Sequence, residues 1–204
     1  MPNIALAQLR AIPSTTNTSE WLTINLTNSR SDSGSLKASS KVRWDNNNLY
    51  FQIDVQDSTR ADGYSNINRD FSNIDHVVIC IDSLGNAHKE DRVLPSKDDY
   101  VFIVTPQNAF GDPMITTYGY GGYEHLSLNL RQVRVTADIR NNGYQLSIAL
   151  PWSILERQPM PHSFIGLSIS VRDVSDGKWF YEISSTNSEP HYSPQQWENF
   201  QLLP

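Results

Sequence analysis

The chain has 204 residues, 38% of them hydrophobic, and a formal net charge of −6, with a mean hydropathy of −0.46. No apolar run approaches the ~20 residues that span a bilayer, which excludes direct membrane insertion by a helix. The acidic balance argues against nucleic acid, whose phosphates need a basic partner surface.

In chain order, Ser19–Leu26 reads as a weak first strand. Lys41–Trp44 reads as the hairpin partner of a much clearer strand, Leu49–Gln56, with Asp45-Asn46-Asn47-Asn48 as the turn between them. In the clear strand Leu49, Phe51, Ile53 and Val55 alternate with Tyr50, Gln52, Asp54 and Gln56, the period of a half-buried strand. Val77–Ile81, Tyr100–Val104 and Ile165–Val171 are apolar at nearly every position, as expected of strands covered on both faces. Val133–Ile139 and Tyr144–Leu150 form a second hairpin across Asn141-Asn142-Gly143. Pro151–Glu156 is expected to form one helical turn, with proline at its start. Asp176-Gly177 turns the chain into an alternating strand carrying Trp179, Tyr181 and Ile183, and Trp197–Leu203 is a weak last strand. Three long connections remain: Ser58–Asn73, Leu84–Asp98 and Asn108–His125. Many short strands, polar turns and almost no helix predict an all-β fold, a two-sheet antiparallel sandwich of the jelly-roll or immunoglobulin-like kind.

Catalytic templates are absent. There is no GxSxG, no HExxH and no glycine-rich phosphate loop, and the five histidines lack ligand-like spacing. The one cysteine, Cys80, lies in an apolar run and reads as a small buried hydrophobe. The cationic residues Lys41, Arg43, Arg131, Arg134 and Arg140 are spread over separate segments and form no patch with interleaved aromatics along the chain.

Aromatic residues in the expected loops say more. Tyr64, Phe71, Tyr118, Tyr120 and Tyr123 all lie there, and Tyr118-Gly119-Tyr120-Gly121-Gly122-Tyr123 alternates rings with glycines that let the backbone turn sharply. A flat ring is a platform for the C–H face of a sugar, or it caps the end of a sandwich. Carboxylates gather at strand ends: Asp54 with Asp57; Asp70 with Asp75 and Asp82; Asp91 with Asp98 and Asp99. Turn-forming aspartates and a loop calcium site both fit that pattern.

The order of segments resembles the family 9 carbohydrate-binding module and its wider superfamily. Trp44 through Asp57 is similar to that family's Trp–turn–Leu-Tyr strand ending in V-x-D. Ile74–Asp82 resembles its D-x-V-E-x-x-x-D strand, Gly143–Trp152 its GY-x-x-E-x-x-I-P-W segment, and Ile165–Asp173 its I-G-x(n)-V-x-D strand. Together these cover most of residues 20–203. Two positions depart from the pattern: the acid of D-x-V-E is Val78 here, and that of GY-x-x-E is Ser147. The resemblance implies a sandwich that grips a sugar chain end between two rings, with Phe71 and Trp179 their nearest counterparts by position, and it implies structural calcium.

These readings lead to one expected domain, 1–204, with its core over about 20–203. Its expected job is non-catalytic: to bind oligosaccharide or polysaccharide through Trp179 and Phe71, with Tyr64 and the Tyr118, Tyr120 and Tyr123 loop. It would hold a larger multidomain protein near that polymer in an extracytoplasmic setting. The alternative expectation is an extracytoplasmic ligand-sensing domain of a membrane signalling protein.

Overall fold

The computed structural model describes residues 10–15, 20–29, 36–58, 74–87, 95–108, 110–118, 128–175, 179–186 and 193–204. Its strands are β1 (Arg10–Ile12), β2 (Leu22–Asn25), β3 (Asn28–Ser29), β4 (Lys37–Trp44), β5 (Asn48–Gln56), β6 (His76–Asp82) and β7 (Asp99–Thr105), followed by β8 (Met114–Thr117), β9 (Arg134–Arg140), β10 (Gly143–Pro151), β11 (Phe164–Ser175), β12 (Trp179–Ser184) and β13 (Glu198–Leu202). The described residues contain no α-helix, only 3-10 turns such as Leu130–Gln132 and Pro194–Gln196.

The strands form two sheets. One has five strands in the order β2-β4-β5-β10-β9. The other has eight, running β1-β13-β11-β6-β7-β8, with β12 paired to β11 and β3 paired to β12. The first part of β11 pairs with β13 and its last part with β12, so one long strand serves two partners. Pairing is antiparallel except between β1 and β13, which run parallel. One buried cluster takes side chains from both sheets, as in a face-to-face sandwich.

The alternation in Leu49–Gln56 is realised as expected: Leu49, Phe51, Ile53 and Val55 are buried, and Tyr50, Gln52 and Asp54 are half-buried on the other face. The turn before it is held by Asp45, whose carboxylate accepts the N–H groups of Asn47 (2.8 Å) and Asn48 (2.7 Å) and the hydroxyl of Tyr50 (2.7 Å). Tyr144, Leu146, Ile148 and Leu150 on β10 continue the buried face. Each fully buried side chain of this size contributes about 1.5–3 kcal/mol of hydrophobic stabilisation. Trp44 and Trp152 meet edge to face with ring centroids 6.3 Å apart. Both indoles keep a hydrogen bond, to the carbonyls of Ile12 (3.2 Å) and Asp45 (2.8 Å), so their burial leaves no donor unmatched.

Gly143 opens β10 at φ 139°, opposite Gln56. A β-carbon there would fall 2.0 Å from the carbonyl oxygen of Val55, so this turn accepts glycine alone.

The apolar segments β6 and β7 are buried at every position, as central strands should be. Val77, Ile79 and Ile81 point into the main core, while Val78 and Cys80 pack on the opposite face with Val101 and Trp197.

Several elements differ from the sequence-based expectation. The segment expected as one connection, Asn108–His125, contains β8. Strands β1 and β3 were not expected, because two or three residues carry no period. Pro151–Glu156 forms successive turns, with Ile154 N–H donating to Pro151 O and Leu155 N–H to Trp152 O (3.0 and 3.1 Å). Ile139 is 38% exposed although Val135 and Ala137, on the same face, pack on the core; it sits near the hairpin end of an edge strand. The expected Asp176-Gly177 turn lies outside the described residues, between strands whose register pairs Ser175 with Trp179.

Candidate functional site

Of the ring residues expected to meet a ligand, Tyr64, Phe71, Tyr120 and Tyr123 lie outside the described residues. The backbone of Trp179 opens β12 on the eight-stranded sheet. Tyr118 follows β8, is 40% exposed, and its N–H donates to Val101 O (2.9 Å). Strands β11, β6 and β7 stand between β12 and β8. At a spacing of about 4.8 Å per strand this sets Tyr118 and Trp179 about 19 Å apart across the sheet, so the structure does not bring these two together.

The aspartates sort differently from their order in the sequence. Asp54 faces outward and pairs with Arg140 (2.8 Å). Asp82 is buried, and its carboxylate accepts three backbone N–H groups, from Leu84 (3.0 Å), Gly85 (2.8 Å) and Ala87 (2.7 Å). It fastens the turn after β6. Asp99 accepts the N–H of Ser96 (2.7 Å), yet burial, with the nearby charges of Asp82 and Asp98, pushes its carboxyl up to about 6. Asp70 and Asp91 lie outside the described residues.

Asp57, Asp75 and Asp173 come together instead. Each offers a carboxylate oxygen, all within 4.8 Å of one another, and the three residues are 3%, 2% and 3% exposed. Asp57 follows β5 of the five-stranded sheet; Asp75 precedes β6 and Asp173 lies in β11 of the eight-stranded sheet. The trio therefore bridges the two layers. Asp75 also accepts the N–H of Val174 (2.8 Å), tying the entry of β6 to the end of β11. Burial first, and then the negative charge of Asp57, push the Asp173 carboxyl up to about 6. Its Oδ1 is buried and has no hydrogen-bond partner among the described residues. Three hard oxygen donors converging in a site with no thiolate or imidazole donor in the cluster suit a calcium ion, which takes carboxylate and carbonyl oxygens. Asp173 stood in the sequence as the end of the V-x-D strand, but no local spacing links it to Asp57 or Asp75.

The outer face of the five-stranded sheet carries a second constellation. The register aligns Arg43, Tyr50, Ala149 and Arg134 in one row across β4, β5, β10 and β9. The next row on the same face is Lys41, Gln52, Ser147 and Thr136. An open cavity of about 330 Å³ lies over these rows, with Trp21 at its side. The Arg43 guanidinium sits over the Trp21 ring at 4.2 Å and near the Tyr50 ring at 5.7 Å, within cation–π range. Of the cationic residues singled out in the sequence, Arg43 is the one with ring contacts among the described residues. Strand pairing sets Lys41, Arg43 and Arg134, distant in sequence, on adjacent rows of one face.

The family model described as "Carbohydrate family 9 binding domain-like" matches residues 13–202. The chain belongs to this family. Among solved structures it is similar to two family 9 carbohydrate-binding modules from Caldicellulosiruptor kristjanssonii. The one in complex with cellotriose has a TM-score of 0.71 at 16% identity, with 95% of this chain and 93% of that chain covered. The one in complex with glucose has a TM-score of 0.67 at 18% identity, with 90% and 83% covered. At these identities the likeness establishes the two-sheet fold. No curated protein matches the chain. Membership places the chain among carbohydrate-binding modules, a class of binding rather than catalytic domains. Of the two positions that depart from the family 9 pattern, Val78 is buried beside Trp197, and Ser147 lies on the floor of the open cavity. No helix among the described residues is long and apolar enough to cross a membrane.

Proposed function

We propose that this family 9 domain is a non-catalytic module that binds the end of a neutral sugar chain. The observation that carries the reading is the family match across residues 13–202, joined to the relatives' complexes with cellotriose and glucose. Trp179 and Phe71 would hold the sugar rings, with Tyr64 beside them. What supports Trp179 is its counterpart position in the family 9 pattern and the place of its backbone at the first position of β12. Tyr118 follows β8, on the far side of that sheet's central strands from β12, and with Tyr120 and Tyr123 it would add a second contact along a longer chain.

The Asp57, Asp75 and Asp173 carboxylates would hold a structural calcium ion. It would neutralise like charges that burial otherwise penalises, and so fasten the five-stranded sheet to the eight-stranded one. In this role the domain serves a longer extracytoplasmic chain by keeping it close to polysaccharide.

Calorimetric titration of the protein with cellotriose tests the reading. Saturable one-to-one binding is the expected result. No binding of cellotriose, or of any neutral oligosaccharide on a broad glycan array, overturns it and leaves ligand sensing as the better account of the fold.

A further inference from the structure

The open cavity on the five-stranded sheet is far from a featureless face. Its floor is made by Ala149 and Ser147, the two small residues at the middle of their rows, so the sheet dips between taller side chains on either side. Arg43 closes one side and Arg134 the other. They are three strand spacings apart, about 14 Å, a distance that a short oligosaccharide spans. The volume of about 330 Å³ falls within the range of ligand clefts.

Both guanidinium groups line the groove. Arg43 is oriented by its two aromatic neighbours, and its Nε is buried with no hydrogen-bond partner among the described residues. Arg134 is exposed and has no ion pair among them. Two acids on or beside these strands have other hydrogen-bond partners, although the Arg43 charge also acts on Asp45 and, against burial and together with those hydrogen bonds, helps to lower its carboxyl. Asp45 accepts two backbone N–H groups and the Tyr50 hydroxyl, and Asp54 is paired with Arg140. A chain of net charge −6 thus presents two guanidinium groups across one groove. Guanidinium is the group best shaped to take a carboxylate through two parallel hydrogen bonds. Between the cations, Gln52, Ser147 and Thr136 offer donors and acceptors suited to hydroxyls.

We propose that this groove is a second ligand site, distinct from the Trp179 region, and that it takes an acidic oligosaccharide whose uronic-acid carboxylates pair with Arg43 and Arg134. The choice of a sugar as the bearer of the carboxylate rests on the carbohydrate-binding reading above; the groove and its charge do not. The two sites lie on different sheets, so one domain could hold a neutral chain end and an acidic chain at once.

The test uses galacturonic acid trimer and cellotriose, each titrated separately into ¹⁵N-labelled protein and followed by NMR and calorimetry. The trimer is expected to shift the side-chain Nε–H signals of Arg43 and Arg134 and the amides of Gln52 and Ser147. Its affinity should fall steeply as salt is raised, since exposed charge pairs are screened. Arg134→Gln should weaken the trimer about tenfold by removing a charge-assisted pair. Ser147→Glu, which puts an acid on the floor, should abolish it, and neither variant should change cellotriose affinity. Wild-type trimer affinity in both variants overturns the proposal, as does a set of shifts confined to another face. Loss of cellotriose binding in both variants also overturns it, because the groove would then be the neutral-sugar site. Cellotriose binding to the wild-type protein is read independently, so failure of the neutral-sugar reading is recognised as such.

Discussion

The two sheets bury their outer faces to different degrees. In the eight-stranded sheet, β6 and β7 are covered on both sides, and Val78, Cys80, Val101 and Trp197 form a small second core there. In the five-stranded sheet the outer face stays open, and half-buried or exposed polar residues alternate with the core. A covered face is fixed by packing, and its side chains have one arrangement. An open face is free to carry function in its rows, because a change there leaves the core untouched. The carboxylates repeat the contrast: Asp82 accepts three backbone N–H groups, whereas Asp173, beside Asp57 and Asp75, keeps a buried oxygen with no hydrogen-bond partner among the described residues.

This contrast can be broken by substitution. The largest effect is expected at Gly143→Ala, where the new methyl meets the Val55 carbonyl and forces β10 away from β5. A loss of about 3 kcal/mol or more in urea unfolding is expected. A loss under about 1 kcal/mol would mean that this turn relaxes without disturbing the five-stranded sheet.

Calcium comes next. Saturation at about 100 times the dissociation constant should stabilise the protein by about 2.7 kcal/mol, seen as a melting temperature that rises with the ion and falls back with EDTA. Asp173→Asn should abolish that response. It should also melt no lower than wild type when both are metal-free, because it removes a buried carboxyl beside Asp57. An unchanged calcium response in the variant would remove Asp173 from the ion's ligands.

A matched pair of changes sharpens the comparison of outer faces. Val78→Thr on the eight-stranded sheet places a hydroxyl in a covered face and should cost about 1–3 kcal/mol. Thr136→Ala on the five-stranded sheet should stay within about 0.5 kcal/mol, as an exposed substitution does. Equal costs would contradict the difference between the faces.

The same difference explains what the sequence made legible. Leu49–Gln56 announced itself because one of its faces is wet and the other dry, and Val77–Ile81 because both of its faces are dry. Arg10–Ile12 and Asn28–Ser29 owe their strand geometry to their partners, β13 and β12, and carry no pattern of their own. Met114–Thr117 lies inside a stretch read as loop because three of its four residues are half-buried, which erases the alternation. The aspartate trio was hidden for a topological reason: residues 57, 75 and 173 meet only when the two sheets are stacked. Arg43 and Arg134 looked scattered until the register across β4, β5, β10 and β9 placed them in one row. The resemblance to family 9 modules, by contrast, was carried by ordered segments that local sequence preserves, and the match over residues 13–202 bears it out.

The proposed function rests on Trp179 holding a sugar ring. Burying roughly 100 Å² of ring and sugar surface is worth about 2–3 kcal/mol at ~25 cal/mol per Å² before association costs. The most direct measurement is therefore calorimetry of cellotriose binding to wild type and to Trp179→Ala, with melting curves of both. The variant is expected to bind roughly 10- to 100-fold more weakly and to melt close to wild type. Equal affinity in a stably folded Trp179→Ala protein would contradict this role of Trp179.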